Sequence, residues 1–218
     1  VQATAVAKAT AAVQANIILS DRLDRNINNW LTTPPNVYAF KDGAYHITDR
    51  DNNGRATVLP SDPFTGQLAY SLTMQEIKGD DATVFNPNAA TVNSFGMIFR
   101  FNQKTKGNTI STTFYSFEVV NTNGGEYQFW KYDDTKGTNN AWTRIWHGNF
   151  GKEFHQGHGV KAVNTFKISM QGNSFTFTVN GKFVQKSQDK SFPSGMIGMI
   201  VNLNGTEVAF KDLLLTHN

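Results

Sequence analysis

Apolar side chains recur at every second position through three neighbouring stretches between residues 95 and 132. The first stretch contributes Phe95, Met97, Phe99 and Phe101, and the next two contribute Tyr115, Phe117, Val119, Tyr127 and Phe129. Successive side chains of a β-strand point to opposite faces, so this period of two predicts three antiparallel strands with one face in a core. Asn and Gly residues at 121–125 predict the turn between the second and third strands.

The opposite face of these strands carries an unusual set of groups for a solvated surface. They are Arg100, Glu118, Glu126, Gln128, Trp130 and Tyr132. A solvated sheet face usually carries Thr, Lys and Ser, whereas charged, amide and indole groups suit hydroxyls and flat rings. We therefore expect this face to be concave and to bind a ligand.

Composition limits the classes of protein to which the chain can belong. Its 218 residues suffice for one large β domain with a buried core. Only 17% of the residues are charged, and Asn, Gly and Thr are common, which is typical of extracellular β proteins. The net charge of +3 comes from scattered Lys and Arg and does not favour a nucleic-acid partner. The chain has 0 Cys, which excludes disulfides, thiolate metal sites and a cysteine nucleophile.

The first 16 residues differ in composition from the rest. They are rich in Ala, Thr and Gln, and we predict a tether that forms a short helix. From Ile17 the pattern becomes that of strands and turns, so we predict one domain over residues 17–218. The sequence starts without Met and has no run of about 20 apolar residues. We expect a piece of a longer secreted or anchored protein, located outside the cell or on its surface.

The rest of the chain predicts further short strands. The clearest hairpin joins residues 175–179 to 182–184 through Asn180 and Gly181, because Asn-Gly between alternating strands strongly favours a tight turn. About a dozen strands without an internal repeat predict an all-β sandwich of two antiparallel sheets.

A series of short motifs follows in a fixed order along almost the whole predicted domain. They are residues 19–23 with Trp30, then 42–47, 96–100, 115–119, 125–127, 175–181, 191–198 and 208–212. In these motifs the chain resembles the concanavalin A-like and laminin-G-like jelly rolls. The most similar subgroup comprises glycosidase-associated carbohydrate-binding modules and domains like 3-keto-disaccharide hydrolases. The resemblance implies a jelly-roll sandwich, a fold that hosts lectins, enzymes and adhesion modules. Similar domains also occur at the outer ends of anchored bacterial proteins, behind linkers of this composition.

Two groups of residues are candidates for sugar binding. Arg100 and Glu118 would hydrogen-bond vicinal hydroxyls while Trp130 or Tyr132 stacks on a pyranose ring, although a cross-strand ion pair would explain the first two residues equally well. Trp142, Arg144 and Trp146 recur at period two and would form a flat platform, with core packing as the alternative for the indoles.

Metal sites have weaker support in the sequence. Asp49, Asp51 and Asn53 resemble the first half of a calcium loop, but Pro60 stands where a twelfth, acidic ligand is needed. An ordinary Asn-Gly turn is the alternative. The resemblance to jelly rolls, which often tie their terminal strands together with calcium, implies a second calcium cluster at Asp21, Asp24 and Asp212. His147, Glu153, His155 and His158 could hold zinc, although a polar loop at the rim of the sheet explains them as well. No cofactor is expected to be required, and a structural calcium is the one candidate ion for the loop at Asp49, Asp51 and Asn53.

An enzyme is the second hypothesis. Glycoside hydrolysis needs two carboxyl groups about 5 to 10 Å apart, which Glu118 and Glu126 could supply. We expect Arg100 and Lys131 to keep both carboxylates ionised, which suits binding better than acid catalysis. The glucanase Glu-x-Asp-x-x-Glu motif and nucleophile-elbow motifs are absent.

The sequence therefore favours a non-catalytic, extracellular carbohydrate-binding or ligand-sensing domain whose partner is a poly- or oligosaccharide. Its predicted ligand residues are Arg100, Glu118, Gln128, Trp130, Arg144 and Trp146. A glycoside or keto-sugar hydrolase and a structural or protein-interaction module of a receptor-like protein stay open as alternatives.

Overall fold

The computed structural model describes residues 16–89 and 91–218. This part of the chain is all-β, apart from one short 3-10 helix at Asp134–Lys136. The helix predicted near the N-terminus belongs to residues that precede Asn16 and lies outside the described residues. None of the described residues forms a helix of the length and hydrophobicity needed to cross a membrane.

The described part of the chain contains fourteen strands. In chain order they are β1 Ile17–Asp21, β2 Tyr38–Lys41, β3 Ala44–Thr48, β4 Arg55–Val58, β5 Leu68–Lys78, β6 Ser94–Lys106, β7 Thr109–Val120, β8 Glu126–Asp133, β9 Trp142–Asn149, β10 Val163–Gln171, β11 Ser174–Val179, β12 Lys182–Gln188, β13 Met196–Val201 and β14 Glu207–His217.

The strands form two antiparallel sheets. The eight-stranded sheet has the order β12-β11-β10-β5-β14-β3-β2, and β1 pairs with the C-terminal half of β14. The six-stranded sheet has the order β4-β13-β6-β7-β8-β9. The meander predicted from residues 95–132 is therefore β6, β7 and β8 at the centre of the six-stranded sheet, and the predicted Asn-Gly hairpin is β11 and β12.

Aromatic side chains from both sheets meet in the core. Phe117 of β7 stacks on Phe177 of β11 with 4.5 Å between ring centroids, and Phe129 of β8 lies 4.9 Å from the same ring. The inward positions predicted on β6, β7 and β8 are confirmed as buried, with one exception. Phe101 packs instead with Ile98 and other residues of a small separate cluster.

A β-bulge in β6 explains the exception and corrects the prediction for Arg100. The pairing with β7 shifts between Phe99 and Asn102, and Arg100 has a φ of 51°, in the left-handed region. An extra residue in a strand reverses the alternation beyond it. The Arg100 side chain consequently leaves the outer face on which strict alternation would place it.

Arg100 instead joins the two sheets. It is 4% exposed, and its guanidinium lies 4.7 Å from the ring centroid of Phe175, a core residue of the eight-stranded sheet. Its Nη1 donates to the carbonyl oxygen of Phe192 at 2.7 Å, and its Nη2 donates to that of Gly172. The buried guanidinium thus supplies donors to two backbone carbonyls.

A second buried ionisable group, Glu76, holds one end of the sandwich together. Its carboxylate is fully buried and accepts hydrogen bonds from the side-chain amides of Asn93, at 2.9 Å, and Asn121. Asn93 in turn accepts from the Thr206 hydroxyl, and Asn121 accepts from the backbone N–H of Gly157. Segments before β6, after β7, before β10 and before β14 are therefore tied to one carboxyl group. Burial raises the pKa of Glu76 to about 7, against the lowering effect of the two amides.

We expect Arg100→Met to lower the free energy of unfolding by about 3 kcal/mol, because it leaves two carbonyl oxygens without their charged donor. Urea denaturation followed by tryptophan fluorescence measures the change. Arg22→Met is the matched control, since the Arg22 side chain is 82% exposed and its loss should change stability by less than about 0.5 kcal/mol. Equal effects for the two variants would contradict the structural role of Arg100.

We also expect Glu76 to make stability depend on pH. A carboxyl group whose pKa rises on folding stabilises the folded state below its unfolded pKa and loses that contribution as pH rises through its folded pKa. The free energy of unfolding should fall by roughly 3 kcal/mol between pH 4.5 and pH 8 because of this group. Urea titrations across this range should show a much flatter profile for Glu76→Gln. An unchanged pH profile in that variant would refute the assignment.

Candidate ligand-binding groove

The outer face of the six-stranded sheet, turned away from the core, carries a groove of about 340 Å³. Two short loop segments, 52–54 and 91–92, form its rim. Strand and post-strand residues form its floor and one wall, namely Ser94, Glu118, Gln128, Trp130, Trp142 and Asn202. Glu118 pairs across the sheet with Gln128, and Tyr132 pairs with Trp142, so strand register brings these residues together.

Glu118 is the ionisable group at the floor of this groove. It is 4% exposed and accepts hydrogen bonds from three neutral donors: Ser116 at 2.5 Å, Ser94 at 3.0 Å and the Asn202 amide at 2.9 Å. Burial raises the pKa of Glu118, and these hydrogen bonds oppose the rise. Arg100 is not among the groups that influence Glu118, so the expectation that a neighbouring guanidinium keeps this carboxylate ionised is wrong.

A glycine makes room beside Glu118. Gly96 of β6 lies directly opposite Glu118 in the antiparallel register. A Cβ atom at this position would stand 2.1 Å from the carbonyl oxygen of Phe117, which is backbone and cannot move aside. Only glycine therefore permits this close approach of the two strands beside Glu118.

A line of hydrogen bonds along β8 fixes the wall of the groove. The Trp130 indole Nε1 donates to Gln128 at 2.7 Å, and the Gln128 amide donates to Glu126 at 2.9 Å. Glu126 also contacts His147, 2.7 Å from Nδ1, and Arg144, 3.5 Å from Nη1. Gln128 is held by its own donation to Glu126, and Glu126 is held by Arg144 and His147, so the orientation of the Trp130 ring is set from outside the groove.

Trp142 offers the largest exposed ring in the groove. It is 46% exposed although it contacts three other rings edge to face, those of Trp130, Tyr132 and Phe114, with centroids 4.8 to 6.1 Å away. These contacts hold the indole upright at the sheet edge. Trp130 is more enclosed, and the Arg144 guanidinium lies 5.5 Å from its ring centroid.

A second β-bulge corrects the predicted platform of Trp142, Arg144 and Trp146. The register between β8 and β9 shifts so that Trp130 pairs with Arg144 while Phe129 pairs with Trp146, which leaves Ile145 as the extra residue. Trp146 consequently turns inward and packs against the core. Trp142 and Arg144 stay on the outer face, so the core alternative applies to one of the two indoles.

The structure thus separates the six predicted ligand residues into three groups. Glu118, Gln128 and Trp130 line the groove, and Arg144 stands beside it, bound to Glu126. Arg100 and Trp146 face the interior. The predicted ligand set omitted Ser94, Asn202 and Trp142, all of which line the groove. Alternation would have found Ser94, which lies two positions before Gly96, whereas Asn202 lies beyond the end of β13 and has no such signal.

The predicted calcium loop at residues 49–54 forms a tight turn, and hydrogen bonds within the turn engage its carboxylates. The Asp49 carboxylate accepts from the backbone N–H groups of Asp51 and Gly54, each at 3.3 Å, and Asp51 pairs with Arg55 at 2.5 Å. Within the described residues no group of three or more His, Asp or Glu side chains is arranged to hold a metal ion. Calcium binding at Asp49, Asp51 and Asn53 stays a prediction.

Solved structures with a similar fold cover nearly the whole chain. The carbohydrate binding module CBM66 from Bacillus subtilis has a TM-score of 0.60 at 14% identity, over 88% of this chain and 97% of that module. A Bacillus subtilis protein of unknown function with a galectin-like fold has a TM-score of 0.63 at 10% identity, over 93% and 96%. A Bacillus licheniformis β-glucanase has a TM-score of 0.57 at 12% identity, over 92% and 97%.

Comparison of the sequence with protein-family models and with curated proteins finds no match. Similarity at 10 to 14% identity shows a shared fold and leaves function to be argued from the site. The two antiparallel sheets and these structural neighbours show that the chain has the concanavalin A-like jelly-roll fold.

Proposed function

We propose that this domain binds carbohydrate without transforming it. The observation that carries the proposal is the groove on the six-stranded sheet, in which an exposed indole, Trp142, stands beside the polar groups of Glu118, Gln128 and Asn202. Carbohydrate sites combine these two kinds of group, because a pyranose has an apolar C–H face for an aromatic ring and hydroxyls for carboxylates and amides.

The rigidity of the groove supports the same reading. The hydrogen-bonded line from Trp130 through Gln128 to Glu126 fixes the wall before a ligand arrives, and Ser94, Ser116 and Asn202 fix the floor. A preformed site loses less side-chain freedom on binding, so more of the contact energy appears as affinity. The shared fold with a carbohydrate binding module and a β-glucanase supports a sugar ligand.

We further propose that the domain acts outside the cell or on its surface, as part of a larger secreted or anchored protein of the laminin-G-like kind. The low charge and the abundance of neutral polar residues support this location. A purely structural or protein-interaction role is less well supported, because the described loops leave the groove open.

We expect Trp142→Ala to weaken binding of soluble poly- or oligosaccharides at least about tenfold, because it removes the stacking surface. A glycan array identifies a ligand, and isothermal titration calorimetry then compares the variants. Phe183→Ala is the matched control, since Phe183 is 65% exposed on β12 of the other sheet and should leave affinity unchanged. Failure of the wild-type domain to bind any glycan would refute the proposal.

A glycoside hydrolase is the second candidate, and the two carboxyl groups of the outer face favour it. Burial raises the pKa of Glu118, as an acid catalyst requires, while Glu126 is ion-paired with Arg144 and lies 2.7 Å from Nδ1 of His147. Glu126 lies diagonally across from Glu118, a relation that separates residues by about 7 to 8 Å. Hydrolysis is the weaker candidate because Gln128, Arg144 and His147 already occupy the Glu126 oxygens.

We expect no release of new reducing ends from any oligosaccharide that the domain binds. A reducing-end assay over hours, with calorimetry on the same sample, measures turnover and binding together. Turnover by the wild-type protein that disappears in Glu118→Gln, while Glu207→Gln on the other sheet stays active, would replace the binding assignment with a hydrolase.

A further inference from the structure

Among the described residues that line the groove, one side chain is ionisable and none is basic. Of the described residues that line it, Glu118 alone can carry a charge, and the others are Asn, Gln, Ser, Thr, Gly, Val and Trp. Two arginines stand next to the groove and are already paired: Arg144 lies 3.5 Å from Glu126, and Arg55, which follows Gly54 of the rim, pairs with Asp51. An ionised Glu118 therefore gives the empty groove a net negative charge.

Such a carboxylate is unusual, because buried charges in proteins are normally paired with an opposite charge. The three partners of Glu118, namely Ser94, Ser116 and Asn202, are all neutral. Neutral donors offset only part of the cost of desolvation, and the raised pKa of Glu118 agrees with an incompletely compensated anion. A cation placed in the groove would supply the missing charge.

The hydrogen-bonding capacity of Glu118 is also incomplete. Its Oε2 accepts from both Ser94 and Asn202, whereas its Oε1 accepts only from Ser116. A carboxylate oxygen has two lone pairs, so Oε1 retains one acceptor position. That position suits a donor of the ligand.

The aromatic wall favours the same kind of group. Trp142 lines the groove together with Glu118 and is 46% exposed, and the face of an indole ring attracts cations. Trp130 also lines the groove, but its ring already has the Arg144 guanidinium 5.5 Å from its centroid. A carboxylate and the exposed Trp142 ring in one groove can recognise an ammonium group by charge and by ring contact at once. A neutral hydroxyl would use the free lone pair but leave the charge unpaired, and a sugar carboxylate would be repelled.

We propose that the groove selects amino sugars, meaning oligosaccharides with free, protonated primary amines, with the ammonium directed to Glu118. This inference rests on the proposed carbohydrate-binding function and narrows its ligand class. Acetylation of the amine removes both the positive charge and two of its three hydrogen-bond donors, so it should abolish the preference.

Calorimetry with three tetrasaccharides of equal length tests the inference: glucosamine oligomers, their N-acetylated form and a neutral glucose oligomer, at pH 6 and low salt. We expect the amine form to bind at least about tenfold more tightly than the other two, an advantage that added salt reduces. Glu118→Gln should reduce this preference to less than about threefold. Glu207→Gln removes the same charge from the outer face of the other sheet and should keep the preference.

A second variant makes the test independent of the folding of Glu118→Gln. Thr91→Lys adds a cation at the rim and should weaken binding of the amine form more than that of the neutral form. Equal or tighter binding of the acetylated or neutral oligomer would overturn the amino-sugar inference and leave carbohydrate binding intact. Absence of binding by all three oligomers and by a glycan array would instead refute carbohydrate binding itself.

Discussion

The packing of two aromatic inner faces constrains everything else in this domain. Phe117 and Phe129 of the six-stranded sheet meet Phe177 of the eight-stranded sheet at 4.5 and 4.9 Å, and a strand cannot rotate without exposing such rings. Once these positions face inward, their sequence neighbours must face outward. The composition of the groove is therefore a consequence of core packing, and Glu118 and Gln128 line it because Phe117 and Phe129 are buried.

Two buried carboxyl groups, those of Glu76 and Glu118, have different roles in this domain. Glu76 ties four connecting segments together, including the one through Asn93 that leads into the rim and floor of the groove. Glu118 lies in the floor itself, supported by three neutral donors. Burial raises the pKa of both groups, but the Glu76 oxygens are hydrogen-bonded to amides of the loops, whereas Glu118 lines the groove. The first is consequently structural, and the second is a candidate for recognition.

At the two β-bulges, in β6 and β9, the alternation of the sequence predicts the wrong face for the residues that follow. A period of two assumes an uninterrupted ladder, and one extra residue reverses the faces beyond it. In β6 the bulge turns Arg100 toward Gly172 and Phe192, and in β9 it turns Trp146 into the core while His147 reaches Glu126. The residue types around the two bulges do not predict them. Arg100 is not a glycine, and its positive φ is stabilised by tertiary contacts that the sequence does not show.

Local periodicity and turn chemistry were sufficient to predict the all-β class, the central meander, the Asn-Gly hairpin and the burial of the alternating aromatic residues from the amino-acid sequence. The sequence also predicted that Glu118, Gln128 and Trp130 share one outer face. Only the tertiary structure decided that Ser94 and Asn202 hydrogen-bond Glu118 and that Arg100 does not. Bulges, loop positions and partners distant in sequence fix those contacts, and the energy that selects them arises only when the two sheets pack.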